Sequence, residues 1–311
     1  MDFRLTNRVM YDRLIRNINA NREELYKLEE ALYTGKKINR PSDDPGIYMN
    51  LSSIKTQMAE LAQYKDNCDY GEAWLDFSYA TLDTYYERLM NAKDIAYQAS
   101  NDTSTGESRE IFAQIIGDLH DELIGLANTE LYGRYIFGGS NGNNPPVAYI
   151  DANGAEVPYE SPEGHWRSWE DNGIFEISIG SNNNTINIGT SASVFLEITD
   201  GKSVFDILAG LENSLATNDG EGIRDSLSHI DAALDTITQE QSNIGSKIER
   251  LTYTREYIEG LNLNLNRIRS AKEDTNVAET SVEISALESN YQTILAATTK
   301  TMNMSLFDLL Y

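Results

Sequence analysis

Ile47, Ile54, Leu61, Cys68, Leu75, Leu82, Leu89 and Ala96 recur every seven residues, with no proline between the first and the last. A heptad seam of this length commits the segment to one long α-helix lying along a partner. Continued to about Ser100, such a helix runs on the order of 80 Å at 1.5 Å per residue. That length does not fit a compact globule and points to a rod. Gly71 is its one weak point. The start is marked as well: Asp44 can cap the helix, and Pro45 suits the first helical position, where a missing N–H costs nothing.

Three further seams follow the same logic. Tyr11, Leu14, Ile18, Asn21, Leu25, Leu28 and Leu32 alternate in steps of three and four, with the polar Asn21 able to fix register. This helix is expected to stop at Thr34-Gly35. Ile244, Leu251, Ile258 and Leu265 mark a second long helix from about 223 to 269, with Gly245 and Gly260 as local weak points. Val277, Thr280, Ile284, Leu287, Tyr291, Ile294 and Thr298 form the last seam. Ser104-Thr105-Gly106-Glu107 has capping-box spacing ahead of a third helix reaching about Thr129. Gly, Pro and Asn then crowd residues 131–202, with alternating runs such as Ile174–Ile179 and Thr185–Ile188, which read as an inserted β domain.

The expected fold is mainly α: a long antiparallel helical rod or coiled-coil bundle formed by both chain ends, with a small inserted β domain. Its divisions are terminal assembly helices over 1–45 and 270–311, a helical rod over 46–130 and 203–269, and the β domain over 131–202. The long interior helices pair with each other. The terminal helices show no partner within the chain, and pattern alone leaves open whether they pack within or between molecules. Residues 1–40 and 275–311 are accordingly expected to be poorly ordered in a monomer.

Composition narrows the function classes. The 311 residues carry 25 Lys+Arg against 49 Asp+Glu, a net charge of −24. Phosphate binding needs a basic surface, so nucleic acid is not an expected partner. The ends are near neutral and the middle is acidic, which favours the ends as surfaces that meet copies of themselves. No apolar run is long enough to span a bilayer, and the N-terminus lacks the pattern of a cleavable secretory signal. One cysteine excludes an internal disulfide, and three scattered histidines offer little for metal or acid–base chemistry, so no cofactor and no metal are expected.

The chemical motifs are weak. Gly138-Gly139-Ser140-Asn141-Gly142 matches the G-x-S-x-G string of serine hydrolases, but Asn143-Asn144-Pro145-Pro146 follows where a helix is required, and nothing marks His165 or His229 as a base. Thr34-Gly35-Lys36-Lys37 lacks the first Gly and the final Ser or Thr of a phosphate loop. Asp43-Asp44 reads as loop structure rather than a catalytic pair. The triplets at Asn50, Asn101 and Asn183 are common by chance and assign no glycosylation. Cys68 sits on the seam and reads as a small buried hydrophobe. Catalysis is not expected.

One signature is specific. Tyr33-Thr34-Gly35-Lys36-Lys37-Ile38-Asn39-Arg40-Pro41-Ser42-Asp43-Asp44-Pro45 resembles the Ser-Thr-Gly-Lys-x-Ile-Asn-x-Pro-Ser-Asp-Asp-Pro segment of bacterial flagellar axial proteins, the flagellin-like family, departing at Tyr33. Gly133-Arg134-Tyr135-Ile136-Phe137-Gly138-Gly139 and Met304-Ser305-Leu306-Phe307-Asp308-Leu309-Leu310 are similar to segments of the family's junction members. Gln241–Leu251 is similar to a flagellin-type region, with departures at Gln241, Ser246 and Glu249. Flagellins of the filament usually carry Asn-Ser-Ala-x-Asp-Asp-Ala where this chain has Asn39–Pro45, so the prolines favour the junction branch. The β insertion carries no resemblance.

The resemblance implies a structural protein that forms a ring between hook and filament. It would join hook-associated protein 1 on one side and flagellin on the other, with copies of itself around the ring. It would meet an export chaperone first and leave the cell through the flagellar type III channel. Heptad and resemblance together put the assembly interface on Tyr11, Leu14, Ile18, Leu25, Leu28 and Leu32, on Gly35, Asn39, Pro41, Ser42, Asp43, Asp44 and Pro45, and on Ile284, Leu287, Tyr291 and Ile294. The alternatives are a filament flagellin, a hydrolase using Ser140, and an adhesin with a coiled-coil stalk.

Overall fold

The computed structural model describes residues 2–101, 105–139, 142–150, 165–168, 175–198 and 201–307. Its elements are α1 (Asp2–Thr34), α2 (Pro45–Ala99), α3 (Gly106–Ala127), β1 (Glu130–Leu131), β2 (Arg134–Tyr135), β3 (Val147–Ile150), β4 (His165–Ser168), β5 (Glu176–Gly180), β6 (Asn184–Asn187), α4 (Ser193–Leu196), α5 (Val204–Ala216), α6 (Gly220–Glu273) and α7 (Val277–Phe307). The mainly helical class with small antiparallel strands is as the sequence implies. Contacts divide the chain into two units, Leu61–Glu259 and Met1–Glu60 with Gly260–Tyr311. Both long helices contribute to each unit.

The first unit, Leu61–Glu259, holds the hydrophobic core. Within it α2 and α6 run antiparallel: Lys93 pairs with Asp231 at 2.6 Å, Gln241 reaches Asp83 at 3.5 Å, and Lys65 pairs with Glu259 at 2.9 Å. Partners descend α6 as they ascend α2. The heptad residues Cys68, Leu75, Leu82, Leu89 and Ala96 are fully buried, as are Ile223, Ile230, Ile237, Ile244 and Leu251. The α6 seam therefore begins three heptads earlier than the sequence reading placed it. Burial also pushes the Cys68 thiol up to about 11, consistent with an inert core residue.

Two helices, α3 and α5, pack against each other in this unit. Helix α5 opens with a capping box in which the Ser203 hydroxyl accepts from Asp206 N and the Asp206 carboxylate accepts from Ser203 N. The cap of α3 is Thr105, one residue later than the expected spacing; Ser104 lies outside the described residues. The strands form three separate two-stranded antiparallel sheets, β1–β2, β3–β4 and β5–β6. Tyr132 and Gly133 both have positive φ, the geometry of a two-residue hairpin turn. That turn delivers Ile136 and Phe137 into the core, where the Phe137 ring meets Phe195 edge-on at 4.9 Å and Phe195 meets Tyr85 at 4.5 Å. Arg134 stacks its guanidinium over Phe175 at 4.4 Å.

Gly71 is not a weak point of α2. A Cβ there would lie 2.5 Å from Ile177 Cδ1 and 3.1 Å from Leu251 Cδ1, so the missing side chain lets the β5–β6 hairpin and α6 close on α2. Gly245 on α6 faces open space. Opposite outcomes are expected from thermal melts. Gly245→Ala raises stability by about 0.5–1 kcal/mol through helix propensity. Gly71→Leu lowers it by about 1–3 kcal/mol through overpacking.

The second unit corrects one expectation. The terminal helices α1 and α7 do have a partner within the chain, because they pack against each other. Gly35 O accepts from Thr275 N at 2.9 Å, which sets the end of α1 beside the start of α7 and makes the pair antiparallel. The physical reason lies in the matching three–four spacing of both seams, which lets each fill the other's holes. The pair is thin, however. Among the described residues of this unit only Ala31 and Leu51 are buried apolar side chains. Leu14, Ile18, Leu25, Leu28 and Leu32 on α1, and Ile284, Leu287, Tyr291 and Ile294 on α7, are all half-buried. Tyr11 has its side chain outside the described residues.

Candidate assembly site

The signature segment forms the knot of the second unit. Thr34 ends α1 by turning its hydroxyl back to Glu30 O at 2.8 Å, and Gly35 follows with φ 69°, a conformation that favours glycine. Lys37 N donates to Glu273 O at 2.8 Å, and Lys36 bridges Asp274 in antiparallel fashion. The loop after α1 is thereby stitched to the turn between α6 and α7.

Asp43 organises the middle of the loop. Its Oδ2 accepts from Asn39 N at 2.9 Å and Arg40 N at 2.8 Å, while its own N–H donates to Arg40 O at 3.1 Å. Pro41 at the second position of this turn presets the φ the turn needs. The Asn39 amide donates to Lys36 O at 3.0 Å. Asp44 Oδ1 accepts from Ile47 N at 2.9 Å, the expected helix cap, with Pro45 opening α2. Arg40 reaches back to Glu30 at 2.8 Å. Pro41, Ser42 and Pro45 face outward.

A buried carboxylate, which the sequence did not reveal, anchors this arrangement. The Glu273 side chain is only 3% exposed and receives Lys36 Nζ and Lys55 Nζ, each at 2.8 Å, with Arg269 at 3.8 Å. Burial raises its pKa, but the two lysine hydrogen bonds outweigh it and the net direction is down. The only hint available beforehand was the Lys36-Lys37 pair, left without a charge partner once the phosphate loop was rejected. Removing the lysines is expected to cost more than removing the acid, because Lys36 and Lys55 are near half exposed and can turn to water while Glu273 cannot. Lys36→Met with Lys55→Met should destabilise this unit on the order of 3 kcal/mol. Glu273→Gln should cost about 1 kcal/mol. Hydrogen exchange of the 35–47 amides reads the difference.

Acid should release the same knot. The Asp43 carboxyl is held below the usual range by the Arg40 and Asn39 backbone N–H groups, and Glu273 is likewise lowered. A lowered folded-state pKa contributes stability that is present above the unfolded value and lost as pH falls through the folded one. Exchange protection of the loop should therefore hold at neutral pH and fall below about pH 4.

The chemical alternatives gain nothing here. Ser140 lies outside the described residues, as does the side chain of His165. His229 sits on α6 beside Asp225 at 3.5 Å and Lys202 at 3.3 Å. Among the described residues no group of His, Cys, Asp and Glu could hold a metal, and no helix is long and apolar enough to cross a membrane.

Comparison with known proteins agrees with this layout. The profile of the bacterial flagellin N-terminal helical region matches residues 6–142, and that of the C-terminal helical region matches residues 227–310. Flagellar hook-associated protein 3 of Escherichia coli (strain K12) is 30% identical over 146 residues, covering 47% of this chain and 46% of the relative. The chain thus spans about half the length of that curated relative. The flagellar filament core protein flaB2 of Brachyspira hyodysenteriae is 24% identical over 300 residues, 93% of each chain. In structure, the flagellar junction protein FlgL of Legionella pneumophila superposes with a TM-score of 0.57 at 15% identity, over 74% of this chain and all of that one. These relatives are structural flagellar proteins, and with flagellin helical regions matched at both of its ends, the chain belongs to the bacterial flagellin family.

Proposed function

We propose that this chain is the subunit of the junction between the flagellar hook and filament, a non-enzymatic protein that works by packing. It assembles as a ring of its own copies between hook-associated protein 1 and flagellin, after export with a chaperone through the flagellar type III channel, and acts outside the cell. The terminal segments 1–45 and 270–311 are its assembly helices, and the half-buried seam residues together with the outward Pro41, Ser42 and Pro45 are the contact surface. The observation that carries this reading is the thin core of the second unit. A helix pair with so few buried apolar groups, tied by a stiff loop, is suited to gaining its remaining burial from neighbours.

Filament flagellin is the second reading, favoured by the match along nearly the whole chain to a filament core protein. Immunogold labelling of isolated hook–filament preparations separates the two. A narrow band of label at the joint supports the junction, and label along the whole filament overturns it. A hydrolase reading would require esterase activity lost in Ser140→Ala, and the expected result is no activity in either protein.

A further inference from the structure

Two of the three histidines, far apart in sequence, converge on the start of α5. On one side, His229 of α6 presents its Nε2 to the loop that leads into that helix. Lys202 Nζ lies 3.3 Å from this nitrogen and Asp225 Oδ2 lies 3.5 Å from it. The two partners make opposite demands on one atom. An ammonium only donates, so Lys202 needs the lone pair of a neutral ring; a carboxylate only accepts, so Asp225 needs an N–H. The proton on Nε2 therefore decides which partner is held. Asp231, two residues further along α6, is taken by Lys93 of α2 at 2.6 Å. Lys202 O accepts from Ile198 N at 3.1 Å, and Ser203, the cap of α5, follows directly.

On the other side lies His120 of α3, a residue only 2% exposed. Its ring stands 5.9 Å from Phe205 in the first turn of α5 and 5.9 Å from Trp166 of β4, and those two rings are 4.6 Å apart. Among the described residues the charged groups that face it are Asp121 of α3 and Asp206 of α5. Asp121 is 3.6 Å away but 86% exposed, and the Asp206 carboxylate already accepts from Ser203 N and Ser203 Oγ. Tyr149 of β3 stands against Trp166 at 5.0 Å. Burial lowers the His120 pKa against the pull of both aspartates. A proton here enters an apolar slot whose nearest carboxylate is screened by water, beside the positive pole of a helix N-terminus.

We propose that the first turn of α5 is a proton-operated latch. With both rings neutral, Lys202 is held on His229, and Trp166 is held between His120 and Phe205. Protonation passes His229 to Asp225 and opens the aromatic slot, which releases the loop ahead of α5 and the Trp166 end of the β3–β4 hairpin. The opposite end of the hairpin stays tied, because the Asn128 side chain donates to Val147 O at 2.9 Å and accepts from Val147 N at 3.0 Å. The stability contributed by neutral His120 is complete above the usual imidazole value of about 6.5 and is lost as pH falls toward the lowered folded value. This window lies above that of Asp43 and Glu273 in the other unit, so the two acid responses differ in both pH and place. The latch goes beyond the assembly reading and does not depend on it.

Hydrogen exchange of the full chain, corrected for the intrinsic rate at each pH, tests it. Between about pH 7 and about pH 5, amides 201–208 and 165–168 are expected to lose protection while those around Leu251 keep it. His229→Gln keeps an acceptor for Lys202 and takes no proton, so the response of 201–208 should shrink. His120→Phe keeps a ring in the slot and should remove the response of 165–168. Unchanged protection of both segments in the unaltered protein overturns the latch, as does an undiminished loss in the double variant. Should His120→Phe fail to fold, as read by its melting curve, an NMR titration of the histidine ring carbons in the unaltered protein decides. A His120 ring still neutral where an ordinary imidazole is protonated supports the latch, and one that takes its proton at or above the usual value overturns it.

Discussion

Limited proteolysis of the monomer is expected to remove both chain ends and leave a resistant fragment close to Leu61–Glu259. The reason is the distribution of burial. That segment contains the whole core cluster, including Trp74, Tyr85, Phe137, Phe195 and Phe205, each about fully buried. A buried side chain of this kind contributes about 1.5–3 kcal/mol, so its loss is not tolerated by partial opening. The other unit has Ala31 and Leu51 to set against the ordering of two helices of 33 and 31 residues and the ends of two more. Each ordered backbone residue costs about 1–2 kcal/mol. Helix hydrogen bonds and a half-buried seam offset part of that, and opening of this unit should be far more frequent than opening of the core. Cleavage should start within α1 and α7, and mass spectrometry of the stable product gives the boundaries. A demonstrated monomer that keeps both ends intact while the core is cut first would refute the idea, and assembled flagella should protect both ends.

The seams were legible because a heptad states both the helix and the face it buries. Leu75, Leu82 and Leu89 could be read as core from their spacing, and Asp44-Pro45 as a helix start from cap chemistry. What spacing does not state is the partner. The seams of α1 and α7 are compatible with each other and with a neighbour, and only three-dimensional packing shows that they meet and that the meeting is incomplete. Gly71 was misread for a related reason. Within a helix a glycine costs propensity, and its compensation lies in Ile177 and Leu251, distant in sequence. Glu273 was invisible because a buried carboxylate looks like any other acid until Lys36 and Lys55 converge on it. The signature loop could be recognised as a string, yet the division of labour inside it, with Asp43 holding the loop and Asp44 holding the helix, needed coordinates.

That division makes the largest functional effect separable from stability. Asp43→Ala with Asp44→Ala removes the carboxylate oxygen that accepts from two backbone N–H groups in the loop, and the cap of α2. Losing the cap costs about 0.5–2 kcal/mol. The Asn39 and Arg40 N–H groups sit in an exposed loop and can turn to water, so the loop loses its shape rather than its solvation. Neither change reaches the core of Leu61–Glu259, and the purified double variant should melt within a few degrees of the unaltered protein. Assembly is a different matter. In a ring every subunit presents the same loop, so a loss of fixed shape at one contact recurs around the ring and is multiplied by it. Cells carrying the double variant should export a folded protein, fail to grow filaments, and shed flagellin into the medium, as read by a flagellin immunoblot of the supernatant. Asp44→Asn alone keeps a capping oxygen and should leave filaments near normal, whereas Asp43→Ala alone should reproduce the defect. Normal filaments on the double variant would show that the loop serves only its own unit. A melting temperature many degrees lower would make it a folding element whose conformation the distant core depends on.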